Sequence, residues 1–178
     1  MARFVADTSA LVSLGTVVSH EENPLDVLLD EYDVSVPEQV ESELQETARY
    51  EDPSGTAARA VLDRLSELTV HATELDESFP LDDGENAVVT LAITLDATHV
   101  LCDEFNQLAI VHASLADTRL VTTPTLLLVL VRNGLLAPAD AVDCLTKVSE
   151  ARSWETNAYV ARSKATLQRE LDSAIDHR

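Results

Sequence analysis

The chain is predicted to adopt an α/β fold, a three-layer α/β/α sandwich with a central parallel sheet, followed by C-terminal helices. Over residues 1–136, short apolar strands alternate with segments of helical periodicity, which is the pattern of a parallel sheet covered on both faces. Residues 137–178 show helical patterns alone. A chain of 178 residues with 46% hydrophobic content is long enough to bury one substantial core.

Five runs are predicted to be strands because they are short, rich in apolar or β-branched residues, and bounded by polar or turn-forming residues. The first run ends at Asp7, and Pro37 ends the second because proline cannot donate to a strand ladder. In chain order the predicted strands cover residues 3–6, 33–36, 68–72, 99–102 and 119–123.

Apolar spacing and capping residues predict the helices between and after these strands. Thr8 and Ser9 favour a helix start, Pro24 and Pro37 suit first turns, and Gly134 suits a helix end. Residues 51–55 and 74–83 are predicted to be loops. The predicted helices cover residues 10–18, 24–30, 37–48, 56–67, 86–95, 104–115, 124–133, 138–150 and 154–175.

The charge balance is strongly acidic, with 32 Asp and Glu against 12 Lys and Arg and a net charge of −20. The acids are spread along the chain between apolar runs, which excludes a disordered acidic tail. Only Lys147 and Lys164 are lysines. An acid-rich surface poor in lysine suits strong brine, because at about 1 M salt a Debye length of roughly 3 Å screens self-repulsion. We expect a halophilic protein; a binder of basic partners would instead concentrate its acids on one face.

The sequence predicts a cytoplasmic protein with no membrane partner. Cys102 and Cys144 form neither a disulfide framework nor a metal-knuckle spacing. The first ten residues lack the basic and apolar regions of a signal peptide. The longest apolar stretch, residues 126–131, is far shorter than the roughly 20 residues that a spanning helix needs.

Candidate chemistry lies at the ends of two predicted strands, where Asp7 and Asp103 are found. Open parallel sheets bind ligands beyond the carboxyl ends of their strands. A single aspartate there can equally cap the next helix, but two on neighbouring strands repel each other unless a cation lies between them. Glu43 and Glu85 are further candidates, although Glu43 could border the core and Glu85 could simply favour a helix N-terminus.

Four motifs carry a family resemblance, and they occur in this order: FVADTSAL at 4–11, VPEQVESEL at 36–44, GENAV at 84–88 and VLCDE at 100–104. Together they resemble the PIN-domain nucleases, metal-dependent ribonucleases that include the VapC-type toxins of toxin-antitoxin pairs. Residues 122–136 and the helical tail are similar to a poorly characterised prokaryotic branch of that family.

The resemblance implies a nuclease domain over residues 1–136 and a helical C-terminal extension over 137–178 packed on it. It implies RNA as substrate, Mg²⁺ or Mn²⁺ as cofactor, and metal-assisted hydrolysis in which the ion lowers the pKa of a bound water. It also implies two possible protein partners, an antitoxin and a second copy in a homodimer. The acids that it assigns to catalysis and metal binding are Asp7, Glu43, Glu85 and Asp103, with Thr8, Ser9 and Glu104 nearby.

The chain departs from the family pattern in two places. The third acid is a glutamate, Glu85, where many members have aspartate, and the usual basic neighbours of Asp103 are missing. A net charge of −20 would repel RNA in dilute buffer, and counterion release drives binding only weakly in strong salt, so RNA binding would depend on metal bridging, shape and a few arginines. Candidates for this role are Arg49, Arg132 and Arg162, all of which could equally be solvated surface residues.

Other functional classes fit the residues less well. A receiver domain needs an acid pair after its first strand, a haloacid-type phosphatase needs aspartate where this chain has Ser9, and the glycines form no phosphate-binding loop. The remaining alternative is a catalytically weak or inactive PIN-like interaction module that binds a protein partner through its tail. Trp154 and Tyr159 could anchor such a partner or could be packing residues.

Overall fold

The computed structural model describes residues 1–177 and contains one sheet of five parallel strands in the order β3-β2-β1-β4-β5. The central strand is β1, in which Phe4 pairs with Val34 on one side and with His99 on the other. The strands are β1 Arg3–Ala6, β2 Asp33–Pro37, β3 Thr69–His71, β4 His99–Leu101 and β5 Arg119–Val121. The predicted parallel sheet is therefore confirmed, and its strand order reverses between β1 and β4.

Helices cover both faces of the sheet, which confirms the predicted three-layer α/β/α sandwich. Each connection between parallel strands passes through at least one helix or helical turn, as parallel pairing requires. In chain order the helices are α1 Thr8–Gly15, α2 Pro24–Glu31, α3 Glu38–Thr47, α4 Pro53–Leu62, α5 Asp83–Thr94, α6 Leu108–Ser114, α7 Thr123–Arg132, α8 Pro138–Arg152 and α9 Ala158–Asp176.

Two helices begin earlier than predicted because of N-caps within the predicted loops. The Asp52 side chain accepts from the backbone N–H of Gly55 at 2.8 Å, so α4 begins at Pro53 rather than at 56. The Asp82 side chain accepts from the N–H of Glu85 at 2.8 Å, so α5 begins at Asp83 rather than at 86. Both caps satisfy backbone donors that a helix start leaves free.

Other helices are shorter than predicted. The Thr16 hydroxyl donates to the carbonyl of Ser13 at 2.6 Å, and α1 ends at Gly15 rather than at 18. The helix predicted over 56–67 ends at residue 62, and a short 3₁₀ turn covers 65–67. Residues 104–107 form a turn, so α6 is confined to 108–114, and Asn157 caps α9, which begins four residues later than predicted.

The core is continuous from the sheet into the last two helices. Val5, Val100 and Leu101 are fully buried in the central strands. Leu145 of α8 and Leu167 of α9 are equally buried and belong to the same apolar cluster. Helix α8 packs on α1 and α7, and α9 packs on α7 and α8.

None of the helices in residues 1–177 combines the length and the apolar character needed to cross a bilayer.

Candidate active site

Asp7 lies where the central strand β1 becomes helix α1. Its backbone N–H still donates to the carbonyl of Leu101 in β4 at 2.8 Å, which continues the parallel ladder by one residue. Its side chain then turns to cap α1 and accepts from the N–H of Ser9 at 3.4 Å. Asp7 is only 5% exposed, so a buried acid is held at the carboxyl edge of the sheet.

Ser9 joins the ends of β1 and β4. Its hydroxyl donates to Asp7 Oδ2 at 2.6 Å and accepts from the backbone N–H of Asp103 at 3.0 Å. The thiol of Cys102 lies 3.6 Å from the same Asp7 oxygen. The strands that carry the two predicted aspartates are thus neighbours, at the point where the strand order reverses and where parallel sheets bind ligands.

Glu43 approaches from helix α3 and is held by helix α1. Its Oε2 accepts from the hydroxyl of Thr8 at 2.5 Å. On its other side lies Gly84 of α5, where a Cβ atom would stand 2.2 Å from Glu43 Oε1. The absence of a side chain at Gly84 therefore makes room for the Glu43 carboxylate.

Glu85 lies in the first turn of α5, and its backbone N–H donates to the capping Asp82. It is 9% exposed. Because α5 packs on β1 and β2, its N-terminal turn lies close to the edge where Asp7 emerges. The local pattern Asp82-x-x-Glu85 is a helix-start signal of the capping-box type, and it would have located this helix correctly from the sequence.

The acids from these elements line one cavity of about 400 Å³. Three of the four predicted site residues lie on its wall, together with the neighbouring Thr8 and Ser9. Asp82 and Glu104 add two more carboxylates, and one basic residue, Arg152 at the end of α8, completes the charged lining. The acids on the wall are Asp7, Glu43, Asp82, Glu85 and Glu104.

Asp103 does not lie on that wall. It is 5% exposed, and its Oδ1 accepts from the backbone N–H of Thr123, the first residue of α7, at 2.7 Å. Its Oδ2 is buried and has no hydrogen-bond partner within residues 1–177. The turn over 104–107 instead directs the next acid, Glu104, into the cavity.

The pKa values show how crowded these acids are. Burial raises the pKa of Asp7 and of Asp103. Burial also raises the pKa of Glu43 and Glu104, and the negative charge of Asp7 raises both further. Burial, followed by the charges of Asp82 and Asp7, raises the pKa of Glu85 to about 7. Asp7 and Asp82 each raise the pKa of Glu43, Glu85 and Glu104, so the cavity favours added positive charge.

The donor set suits a hard divalent cation. All the acidic ligands are carboxylate oxygens, which Mg²⁺ and Mn²⁺ prefer over nitrogen or sulfur. Within the described chain, no three His, Cys, Asp or Glu side chains form a ready-made ligand group for one ion. Mg²⁺ commonly binds through one or two carboxylates with waters filling its other positions, so this acid-lined cavity fits such an ion.

The remaining sequence candidates lie elsewhere. Arg132 pairs with Glu170 at 3.0 Å, and neither Arg49 nor Arg162 lines the cavity. Trp154 is 9% exposed and stacks edge-on against Phe105 with ring centres 5.0 Å apart. The hydroxyl of Tyr159 hydrogen-bonds with that of Thr125 at 2.5 Å, so both tail aromatics contact their own chain.

Comparison with known proteins identifies one family. A family model described as a PIN domain matches residues 3–168, which is most of the chain and includes the whole acidic cavity and most of the helical tail. No curated protein matches the sequence.

Proposed function

Because the chain belongs to the PIN-domain family, whose members are typically nucleases that use divalent metal ions, we propose that it is a ribonuclease dependent on Mg²⁺ or Mn²⁺. The observation that carries the proposal is the meeting of acids from four separate elements at one cavity beside β1 and β4. This is the edge at which a parallel sheet binds its ligand.

Asp7, Glu43, Glu85 and Glu104 are proposed to hold the cation. A bound Mg²⁺ or Mn²⁺ would supply an acidified water and positive charge at the scissile phosphate. The chain itself positions the carboxylates that would bind the ion. Ser9 orients Asp7, Thr8 orients Glu43, and the capped start of α5 places Glu85. Asp103, one residue away from the wall, is proposed to fix the start of α7 and the end of β4.

The toxin role is a finer proposal that rests on the resemblance to VapC-type toxins. Its partner would be a small antitoxin protein encoded beside this chain. Co-purification of such a protein with the chain, and inhibition of RNA cleavage by it, would support this role. The interaction-module alternative is not proposed, since Trp154 and Tyr159 both contact their own chain.

We expect the purified protein in strong KCl to cleave single-stranded RNA with Mn²⁺ and to lose this activity when a chelator is added. Asp7→Asn and Glu43→Gln should lower turnover on the order of a hundredfold or more, because metal-ion stabilisation contributes several kcal/mol to such reactions. Electrophoresis of labelled RNA measures both effects. Glu104→Gln should reduce turnover more than Asp103→Asn, because only Glu104 lines the cavity.

Glu46→Gln is the matched control, since Glu46 is exposed and lies on the same helix as Glu43. It should cleave RNA at the wild-type rate. Undiminished cleavage by Asp7→Asn would refute the assigned site. Failure of the wild type to cleave any RNA with either metal would refute the nuclease function itself.

A further inference from the structure

The acidic cavity has one basic residue on its wall. Five carboxylates line it, and Arg152 is the single Lys or Arg among its lining residues. Arg152 comes from α8, beyond the region in which the sequence motifs lie. No local signal in the sequence distinguishes it from the other nine arginines, because its position depends on how α8 packs against α1 and α7.

Arg152 is not committed to an ion pair. Elsewhere Arg3, Arg64 and Arg132 each pair with an acid. Over residues 1–177, Arg152 makes no ion pair within 4.0 Å and its side chain has no hydrogen bond, although it faces an acid-lined space. Its donors are therefore free for a ligand.

The end of α8 is held firmly in place. Ser153 adopts a left-handed conformation with φ of 57°, and the N–H of Trp154 donates to the carbonyl of Ser149 at 2.9 Å. Trp154 then packs on Phe105, in the same turn that directs Glu104 into the cavity. The helix end and the 104–107 turn are thus fixed to each other, which keeps Arg152 at the cavity wall.

RNA must bring a phosphate anion into a space lined by carboxylates. A divalent cation compensates part of that repulsion. A guanidinium carries a permanent charge and a planar set of five donors that matches two phosphate oxygens. An arginine on the wall of this cavity that has no ion pair is therefore suited to bind the phosphate that the cation approaches.

We propose that Arg152 binds a backbone phosphate of the RNA in the cavity, so that the C-terminal helices complete the substrate site. This inference rests on the proposed ribonuclease function and adds a substrate-binding residue to it. The competing role is structural, in which Arg152 only offsets the charge of Glu104 and its neighbours. The two roles differ in what happens to RNA binding when the arginine is removed.

The test compares Arg152→Ala and Arg152→Lys with Arg169→Ala. Arg169 is an exposed residue of α9, and its removal changes the net charge by the same amount. Binding of a fluorescein-labelled 12-nucleotide RNA is followed by anisotropy with Ca²⁺ in place of Mn²⁺, at several KCl concentrations at which circular dichroism shows each variant folded.

We expect Arg152→Ala to weaken RNA binding on the order of tenfold, because it removes charge-assisted hydrogen bonds to a phosphate. The slope of log Kd against log salt should fall by about 0.7, the value for one phosphate contact with a single strand. The RNA affinity of Arg152→Lys should lie between those of Arg152→Ala and the wild type, because lysine keeps the positive charge but lacks the planar guanidinium. The RNA affinity and salt slope of Arg169→Ala should match those of the wild type.

RNA affinity and its salt slope separate the two roles, and Mn²⁺ titration calorimetry measures the charge that Arg152 offsets. If Arg152 only offsets the acids, Arg152→Ala will bind Mn²⁺ more tightly while its RNA affinity and salt slope equal those of Arg169→Ala, and this result overturns the inference. Wild-type protein that binds RNA in Ca²⁺ but cleaves none in Mn²⁺ or Mg²⁺ contradicts the nuclease function, whereas the comparison of variants still tests whether Arg152 binds RNA. Wild-type protein that binds no RNA refutes both.

Discussion

Asp7 is the residue around which the cavity is organised. It is buried at the end of the central strand, it caps α1, and its charge raises the pKa of Glu43, Glu85 and Glu104. Its position could be predicted because a strand followed by Asp-Thr-Ser is a local signal. The orientation of Asp103 could not, because it depends on a contact with Thr123 twenty residues later in the chain.

Glu85 links the stability of the metal-free protein to pH. Its pKa is raised from an ordinary value of 4.5 to about 7, so between these values the folded state binds more protons than the unfolded state. Its contribution to stability is therefore lost as the pH rises through this window. Replacing it with glutamine should raise the free energy of unfolding at pH 8 and have much less effect at pH 5, where the carboxyl is already protonated.

Urea unfolding of metal-free Glu85→Gln and wild type at both pH values measures this difference. The exposed Glu46→Gln provides the control, and its effect should be small and equal at the two pH values. A Glu85→Gln effect that is the same at pH 5 and pH 8 would contradict the assigned repulsion.

At the level of elements, the site depends on how closely α5 approaches α3. The first turn of α5 supplies Glu85 and, through Gly84, leaves room for the Glu43 carboxylate. The GENAV motif signals that a glycine and an acid occur together here. Only the packing of the two helices shows that the glycine of α5 leaves space for the Glu43 carboxylate of α3.

Gly84→Ala should therefore separate folding from metal binding. The new methyl group would occupy the position of Glu43 Oε1, and this flexible side chain can turn away from its bond with Thr8. Alanine also favours a helix over glycine by up to about 1 kcal/mol, so stability should be maintained or increased. Mn²⁺ affinity should fall on the order of tenfold, the size of effect seen when groups that orient metal ligands are lost.

Calorimetric titration with Mn²⁺ and thermal unfolding measure the two properties of Gly84→Ala. Asp83→Ala is the control, since Asp83 is exposed and lies in the same helical turn without lining the cavity. Unchanged Mn²⁺ affinity in Gly84→Ala would show that the position of Glu43 does not matter for the ion.

For the whole molecule, the net charge of −20 has two distinct parts. Asp7 and Glu85 are buried at the cavity and Asp103 is buried behind it, whereas many other acids are exposed, including Asp82 and Glu104 on the cavity wall and Glu46 and Asp83 elsewhere. Salt screens exposed charges strongly and buried ones much less. We propose that the exposed acids adapt the protein to strong salt, while the charges of the buried acids Asp7, Glu85 and Asp103 are screened much less.

This division predicts a strong salt dependence of stability. Raising KCl from 0.1 to 1 M shortens the Debye length from about 10 Å to about 3 Å, which removes most of the repulsion between exposed carboxylates. The midpoint of thermal unfolding should rise by about 10 °C, as expected for a few kcal/mol in a chain of this size. Calorimetry in KCl, compared with sucrose at equal osmolality, measures the effect of screening. A midpoint that does not change with KCl would contradict salt adaptation.

The sequence by itself determined the fold class, the approximate positions of all five strands, the nine helices of the described chain and the family. These features depend on local signals, namely apolar periodicity, capping residues and short motifs, which can be read within about 10 to 20 neighbouring residues. The boundaries predicted from the sequence were wrong at helix ends, because a single side-chain cap there outweighs apolar periodicity, as Asp52 and Asp82 show.

Tertiary structure alone decided which side chains share the cavity. The strand order placed β1 beside β4, the 104–107 turn selected Glu104 over Asp103, and the packing of α8 brought Arg152 to the wall. Each of these outcomes depends on contacts between segments that are distant in the chain. No local pattern encodes such contacts, because a side chain's direction is set by the elements that pack around it.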